Sequence, residues 1–219
     1  MTKVFCGIKT RVIGGSYILS KKHIDQLEAA LPSAQQCYDW KLIYRMSRDG
    51  ADVHTMLHMA KMSNSAATIL VLLDEFGTTF GAMITERWRD EGQQYFGSPA
   101  SVAVWSFASG VIQLYPASLK NSCYIMLNSS TLALGGGNAA IYLVSDLSTC
   151  GSKSCSTFDS PCLTGRENFK CVSCEVFSLE HVIKARETAS LTTSRWVAPS
   201  NPLINSPKRN KYQKSNGSK

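Results

Sequence analysis

The chain reads as an α+β protein rich in β-structure: a two-sheet antiparallel β-sandwich with two or more short flanking helices. Three observations predict it. Short apolar or alternating segments, each the length of a strand, recur from Trp40 to Leu179 with turn residues between them. Helical spacing is confined to two stretches near the N-terminus, ahead of most of the strands. At 219 residues and 44% hydrophobic composition, the chain is long enough to bury one substantial core.

Residues 1 to 15 form a lead with no clear periodicity. Ser20 is placed as an N-cap, and Ile24, Leu27 and Leu31 recur on one face of a helix that Pro32 ends. Trp40, Leu42, Tyr44 and Met46 alternate with Lys41, Ile43 and Arg45, which predicts a strand with one strongly apolar face. Ser47-Arg48-Asp49-Gly50 breaks it as a turn, with Asp49 bonding local amides and Gly50 taking positive φ. Asp52 caps a second helix whose Val53, Met56, Leu57 and Ala60 share a face. Ala67 to Leu73 is apolar on both faces, as in a central strand. Asp74-Glu75-Phe76-Gly77 turns the chain into a returning strand over Thr79 to Trp88.

Further strands are expected over Ser101 to Phe107, Val111 to Tyr115, Cys123 to Leu127, Thr131 to Leu134, Ala139 to Val144 and Phe169 to Leu179. Gly135, Gly136 and Gly137 lack the Cβ that restricts positive φ, so they form a hinge where two strands are joined or brought close. After the strand Ile141 to Val144 a polar loop leads to Ser154 to Phe158, read as a second short strand. The domain is expected over 16 to 182.

The formal net charge of +7 is unevenly placed. From Ile183 onward there are eight basic residues and one acidic; residues 1 to 182 hold fifteen of each. The body is therefore neutral, which argues against a nucleic-acid-binding face. The segment 183 to 219, rich in Ser, Thr, Asn, Pro and Lys, is expected to be a disordered basic tail. Lys208, Arg209, Lys211 and Lys214 are its candidate contacts for an anionic partner, such as the acidic surface of a cytoskeletal assembly. The opening MTKVFCGIKTRVIGG has no apolar signal region, and no apolar run is long enough to span a bilayer. A soluble cytoplasmic protein with its eight cysteines as thiols is the expectation.

No catalytic constellation emerges, and no cofactor or metal site is assigned. Cys150, Cys155, Cys162 and the Cys171-Val-Ser-Cys174 pair invite a zinc reading. Residues three apart on a strand point to opposite faces, so Cys171 and Cys174 share a metal only if the strand bulges. Cys150 and Cys155, in a loop near Lys153, are the candidate redox thiols, since such a role needs exposure and a lowered pKa. His54 and His58 stand four apart, but Thr55 replaces the glutamate of a zinc-protease helix. The glycine triplet is followed by Asn138 rather than the Lys-Ser/Thr of a phosphate-binding loop, and no G-x-S-x-G elbow is present.

Several motifs in order do match a family pattern. Trp40-x-Leu42-Ile43-Tyr44-x-x-Ser47-Arg48-Asp49-Gly50 resembles the opening of the TLDc domain, and Thr79-Phe80-Gly81-Ala82 its hairpin. Gly135-Gly136-Gly137-Asn138 with Tyr142-Leu143, Ser154-Cys155-x-Thr157-Phe158, and Glu175-Val176-Phe177 are similar to its later segments. The match covers roughly Ser16 to Glu180. Ala133-Leu134 before the glycines, Phe177 in place of Trp and the extra cysteines depart from the pattern. The resemblance implies a sandwich with flanking helices, no catalytic mechanism, a link to oxidative-stress resistance and binding to the cytosolic sector of the vacuolar proton-pumping ATPase. It also implies that Trp40, Tyr44, Arg48, Asp49, Gly50, Gly81, Gly135, Gly136, Gly137, Asn138, Phe158 and Glu175 define the fold rather than catalyse.

Overall fold

A computed structural model describes residues 10–181 apart from 37, 64 and 66. In chain order the elements are β1 (Val12–Ile13), α1 (Lys21–Ala30), β2 (Tyr38–Arg45), α2 (Met46–Asp49), α3 (Val53–Met62), β3 (Thr68–Asp74), β4 (Thr79–Ile84), β5 (Tyr95–Phe96), β6 (Val102–Ser106), β7 (Gln113–Pro116), β8 (Ile125–Leu127), β9 (Thr131–Leu134), β10 (Ile141–Val144), β11 (Cys150–Gly151), β12 (Asn168–Phe169) and β13 (Cys171–His181). They build a seven-stranded sheet, ordered β1-β2-β13-β3-β4-β6-β7, and a six-stranded sheet, ordered β12-β11-β10-β9-β8-β5. The pairings are antiparallel except that β1 runs parallel to β2.

Local chemistry sets the helix boundaries. The Ser20 hydroxyl accepts the His23 amide while the Ser20 amide donates to the His23 ring, a capping box with histidine in the glutamate's place. Leu31 is already extended, as the following Pro32 requires. Asp52 accepts the amides of His54 and Thr55 and so caps α3, which buries Val53, Met56, Leu57 and Ala60.

Two apolar clusters lie on opposite faces of the larger sheet. Between the sheets pack Leu70, Leu72, Phe80, Ile125, Leu134, Ile141 and Val176, joined by the buried face of α3. On the far side Ile69, Val71, Trp105 and Phe177 are covered by Leu27 of α1 and by Leu31 just after it. The double burial explains why β3, the middle strand of seven, is apolar at successive positions. Each fully buried Leu, Ile or Phe contributes about 1.5–3 kcal/mol.

Several expectations are corrected. The apolar face of β2 is not continuous: Leu42 pairs with Phe177 and Tyr44 with Val176, leaving Ile43 as a bulge. Trp40 and Leu42 therefore face the α1 side, and Tyr44 faces the cleft between the sheets. Met46 leaves the strand for α2, so the stretch read as a simple turn is one turn of helix. Asp49 accepts the Arg45 amide at 2.8 Å, Arg48 donates to the Ile43 carbonyl at 3.1 Å, and Gly50 has φ +95°. β1 covers only Trp40 and Lys41, so Arg48 and Asp49 occupy backbone groups that an open edge would offer to another chain. The segment read as one strand from Phe169 is two, with β12 in the smaller sheet and β13 in the larger.

Residues 14–17 are fixed against the larger sheet by a buried ion pair. Arg45 and Glu175 face each other across β2 and β13, with Arg45 Nε donating to Glu175 Oε1 at 2.9 Å. Glu175 is fully buried and accepts the Tyr17 amide at 2.9 Å and the Ser16 hydroxyl at 2.5 Å. Arg45 donates to the Gly15 carbonyl at 2.9 Å and lies 3.7 Å from the centre of the Tyr17 ring. Both carboxylate oxygens and the guanidinium Nε and Nη2 are thus paired, with each other or with residues 14–17.

Candidate functional site

The glycine triplet makes the connection between β9 and β10. Gly135 and Gly137 take φ of +94° and +70°, values that glycine adopts without strain. The chain bends out after Leu134 and returns when the Ala140 amide donates to the Leu134 carbonyl at 2.9 Å. Close approach matters as much as conformation. A Cβ on Gly135 would lie 2.4 Å from Cys155 Sγ, and one on Gly136 would lie 2.3 Å from Cys123 Cβ.

The segment read as a second short strand, Ser154 to Phe158, is instead a turned loop folded against the triplet. It carries one isolated bridge, in which the amides of Cys155 and Ser160 each donate to the other's carbonyl, at 2.9 and 3.2 Å. Nor is it a polar surface loop. Ser152, Cys155, Thr157, Phe158 and Ser160 are all buried, and Cys155 and Phe158 fill the space that Gly135 leaves. Thr157 Oγ1 accepts the Gly136 amide and donates to Asn121 Oδ1, each at 3.0 Å. Between triplet and loop lies a recess of about 420 Å³, lined by Gly136, Gly137, Asn138, Ser154, Asp159 and Ser160 among others. Its rim carries the ion pair of Lys120 with Asp159.

The two candidate redox thiols lack the surroundings such a role needs. Cys150 is 1% exposed and Cys155 2% exposed. Burial, reinforced by neighbouring Cys171, pushes the Cys150 thiol up to about 12, the opposite of activation. Lys153, expected to lower these pKa values, pairs with Glu167 at 3.4 Å. The strand carrying Cys171 and Cys174 does bulge, between Cys171 and Ser173, so both thiols enter the core between the sheets. Cys174 is fully buried and its pKa is raised, chiefly by burial and then by Cys171. Among the described residues no group of three or more His, Cys, Asp and Glu side chains is placed to hold a metal ion. His54 and His58 are exposed on α3.

These thiols make a measurable forecast. Thiol labelling of the native chain should modify the half-buried Cys123 and Cys162 well before Cys150, Cys155 and Cys174. A thiol held neutral in the fold but ionising at about 8.5 in the unfolded chain adds stability below that value. The contribution is lost as pH rises through the folded value, so the urea midpoint should fall between about pH 8.5 and 12. Cys150→Ala should show a smaller alkaline decline. Equal declines in the two proteins would contradict this account.

Of the remaining positions, Trp40 and Tyr44 are fully buried, and the Tyr44 hydroxyl donates to the Gly50 carbonyl at 2.6 Å. Lys208, Arg209, Lys211 and Lys214 lie outside the described residues. Sequence reasoning missed Arg45 and Ser16, partners of Glu175, although an arginine within an apolar strand pattern is a usable signal. It also missed Asn121 and Thr157, which nothing in local spacing distinguishes from other polar loop residues.

The profile of the TLDc domain matches residues 12–180, which include both sheets, the glycine triplet and the Glu175 strand. The chain belongs to the TLDc domain family. Among its curated relatives, nuclear receptor coactivator 7 of Mus musculus is 31% identical over 167 residues, covering 75% of this chain and 17% of that protein. Oxidation resistance protein 1 of Homo sapiens is 26% identical over 167 residues, covering 75% of this chain and 19% of that protein. The chain therefore spans less than a fifth of the length of these relatives. The TLDc chain has no described helix long and apolar enough to cross a membrane.

Proposed function

We propose that this TLDc chain is a non-catalytic regulatory module of the cytoplasm that binds the cytosolic sector of the vacuolar proton-pumping ATPase and thereby contributes to oxidative-stress resistance. Family membership carries the reading, since the resemblance read in the sequence implies this partner and one relative is named oxidation resistance protein 1. The geometry suits recognition better than bond-making: the recess presents hydroxyl, amide and backbone groups, while the nearby thiols Cys150 and Cys155 are closed off. On this reading the domain runs over 16–182, and the basic segment 183–219 adds reach or affinity for an acidic surface.

The test is direct. The purified chain, mixed with the isolated cytosolic sector of the pump, should co-elute with it and change its rate of ATP hydrolysis. Deleting 183–219 should weaken the complex and reduce its salt sensitivity. Separate elution at every salt concentration would defeat the proposal. Salt-sensitive co-sedimentation with microtubules, lost on the same deletion, would favour the cytoskeletal alternative that the charge asymmetry also supports.

A further inference from the structure

The first turn of α1 is built from basic residues: Lys21, Lys22 and His23 follow the Ser20 cap, and no acidic side chain stands among them. This is the reverse of what a helix N-terminus favours, since its unpaired amides carry partial positive charge. The turn is held instead by a neutral histidine. His23 Nδ1 accepts the Ser20 amide at 3.4 Å, which an imidazole can do only while that nitrogen carries no proton. The ring also stacks on Phe107, with centroids 4.5 Å apart and planes 27° from parallel.

Protonation removes that cap. An imidazolium has two N–H groups and no acceptor, so the Ser20 amide loses its partner, and a further positive charge joins Lys21 and Lys22 at the helix N-terminus. No acidic residue nearby offsets it. Residues 12–20, which lead into the helix, and residues 92–119, which carry Phe107, contain no charged side chain. On the helix itself Asp25 is exposed two positions on, a spacing at which side chains do not face each other. The face of Phe107 attracts a cation, but burial, followed by Lys22, holds the His23 pKa below its ordinary value. The neutral ring is the form the fold selects.

The consequence reaches past one turn because α1 is a cover. Phe107 lies edge-on to Trp105 at 5.7 Å, and both belong to the apolar cluster that Leu27 closes. Further along the helix Gln26 accepts the Ile112 amide at 2.9 Å and Glu28 accepts the Thr10 hydroxyl. Those two ties do not depend on the charge of His23, so only the first turn is free to open.

We propose that His23 makes the N-terminal turn of α1 an acid-sensitive latch: neutral, it caps the helix and closes over Phe107; charged, it releases residues 20–24 and uncovers that ring. The sign follows from linkage. A histidine that charges more readily in the unfolded chain, at about 6.5, than in the fold adds stability above that value and loses it as pH falls through the folded value.

The test follows the full chain by NMR between pH 7.5 and 5. His23 should titrate below about 6.5. The amides of Ser20, His23 and Ile24, bonded within the cap, should lose protection against hydrogen exchange about three- to tenfold, the scale of one helix cap, once the intrinsic effect of pH is removed. His23→Glu supplies the usual capping-box carboxylate and should keep their protection constant, with a thermal midpoint at pH 5 about 2–4 °C above the parent's. His23→Gln, which keeps an acceptor but cannot charge, should give the same flat profile. Protection that does not change down to pH 5, or that falls as far in His23→Glu and His23→Gln, would overturn the proposal. So would a His23 that titrates at or above its unfolded value.

Discussion

Gly81→Ala is expected to cost more than about 4 kcal/mol, lowering the urea midpoint by roughly 2 M or leaving no folded chain. An added Cβ would lie 1.9 Å from the Leu70 carbonyl oxygen and 2.7 Å from Trp105 Cζ2. Neither neighbour has room to retreat. Leu70 is main chain in the middle strand of the larger sheet, and the Trp105 ring, 1% exposed, is packed under α1. Overpacking against mobile side chains typically costs about 1–3 kcal/mol, and this clash is with backbone. Gly151→Ala is the control: its nearest neighbour would be 3.4 Å away and its φ is not positive, so it should change the midpoint little. A Gly81→Ala protein within about 1 kcal/mol of its parent would refute the packing described for β3, β4 and β6.

Breaking the buried ion pair has the second large effect. Glu175→Ala is expected to lose about 3–5 kcal/mol, because it strands the Arg45 guanidinium where Glu175 and the lead had satisfied it. The damage should also be local. Ser16 and Tyr17 lose their acceptor, so hydrogen exchange at residues 12 to 17 should accelerate ahead of global unfolding. Replacing both partners by apolar residues of similar volume should recover much of the stability while leaving the lead unprotected. Uniform acceleration of exchange across both sheets in Glu175→Ala would show that the pair serves the core rather than the lead. A Glu175→Ala midpoint equal to the parent's would show that the pair contributes nothing.

Local pattern served well wherever one element sees one environment. The caps at Ser20 and Asp52, the apolar face of α3 and the doubly buried β3 were all legible, because each depends on residues within a few positions of one another. Pattern failed where two distant segments had to be compared. The bulge at Ile43 follows from pairing with Phe177 and Val176, more than a hundred residues away, and it moves Tyr44 to the opposite side from Leu42. The bulge beside Cys171 likewise turns two thiols toward one core.

The candidate site divides the same way. Three glycines announced a bend, but not what would press against it; Cys155 and Cys123 fill the missing Cβ positions, and burial removes the exposure expected of Cys155. By itself, then, the sequence determined the class of fold, its helix ends, its middle strand and its family, since side-chain period and turn chemistry act over short range. Tertiary structure alone decided which thiols are closed and which carboxylate holds the lead. Those outcomes depend on burial and pairing between chain segments far apart in sequence, and they exist only once the two sheets have closed on each other.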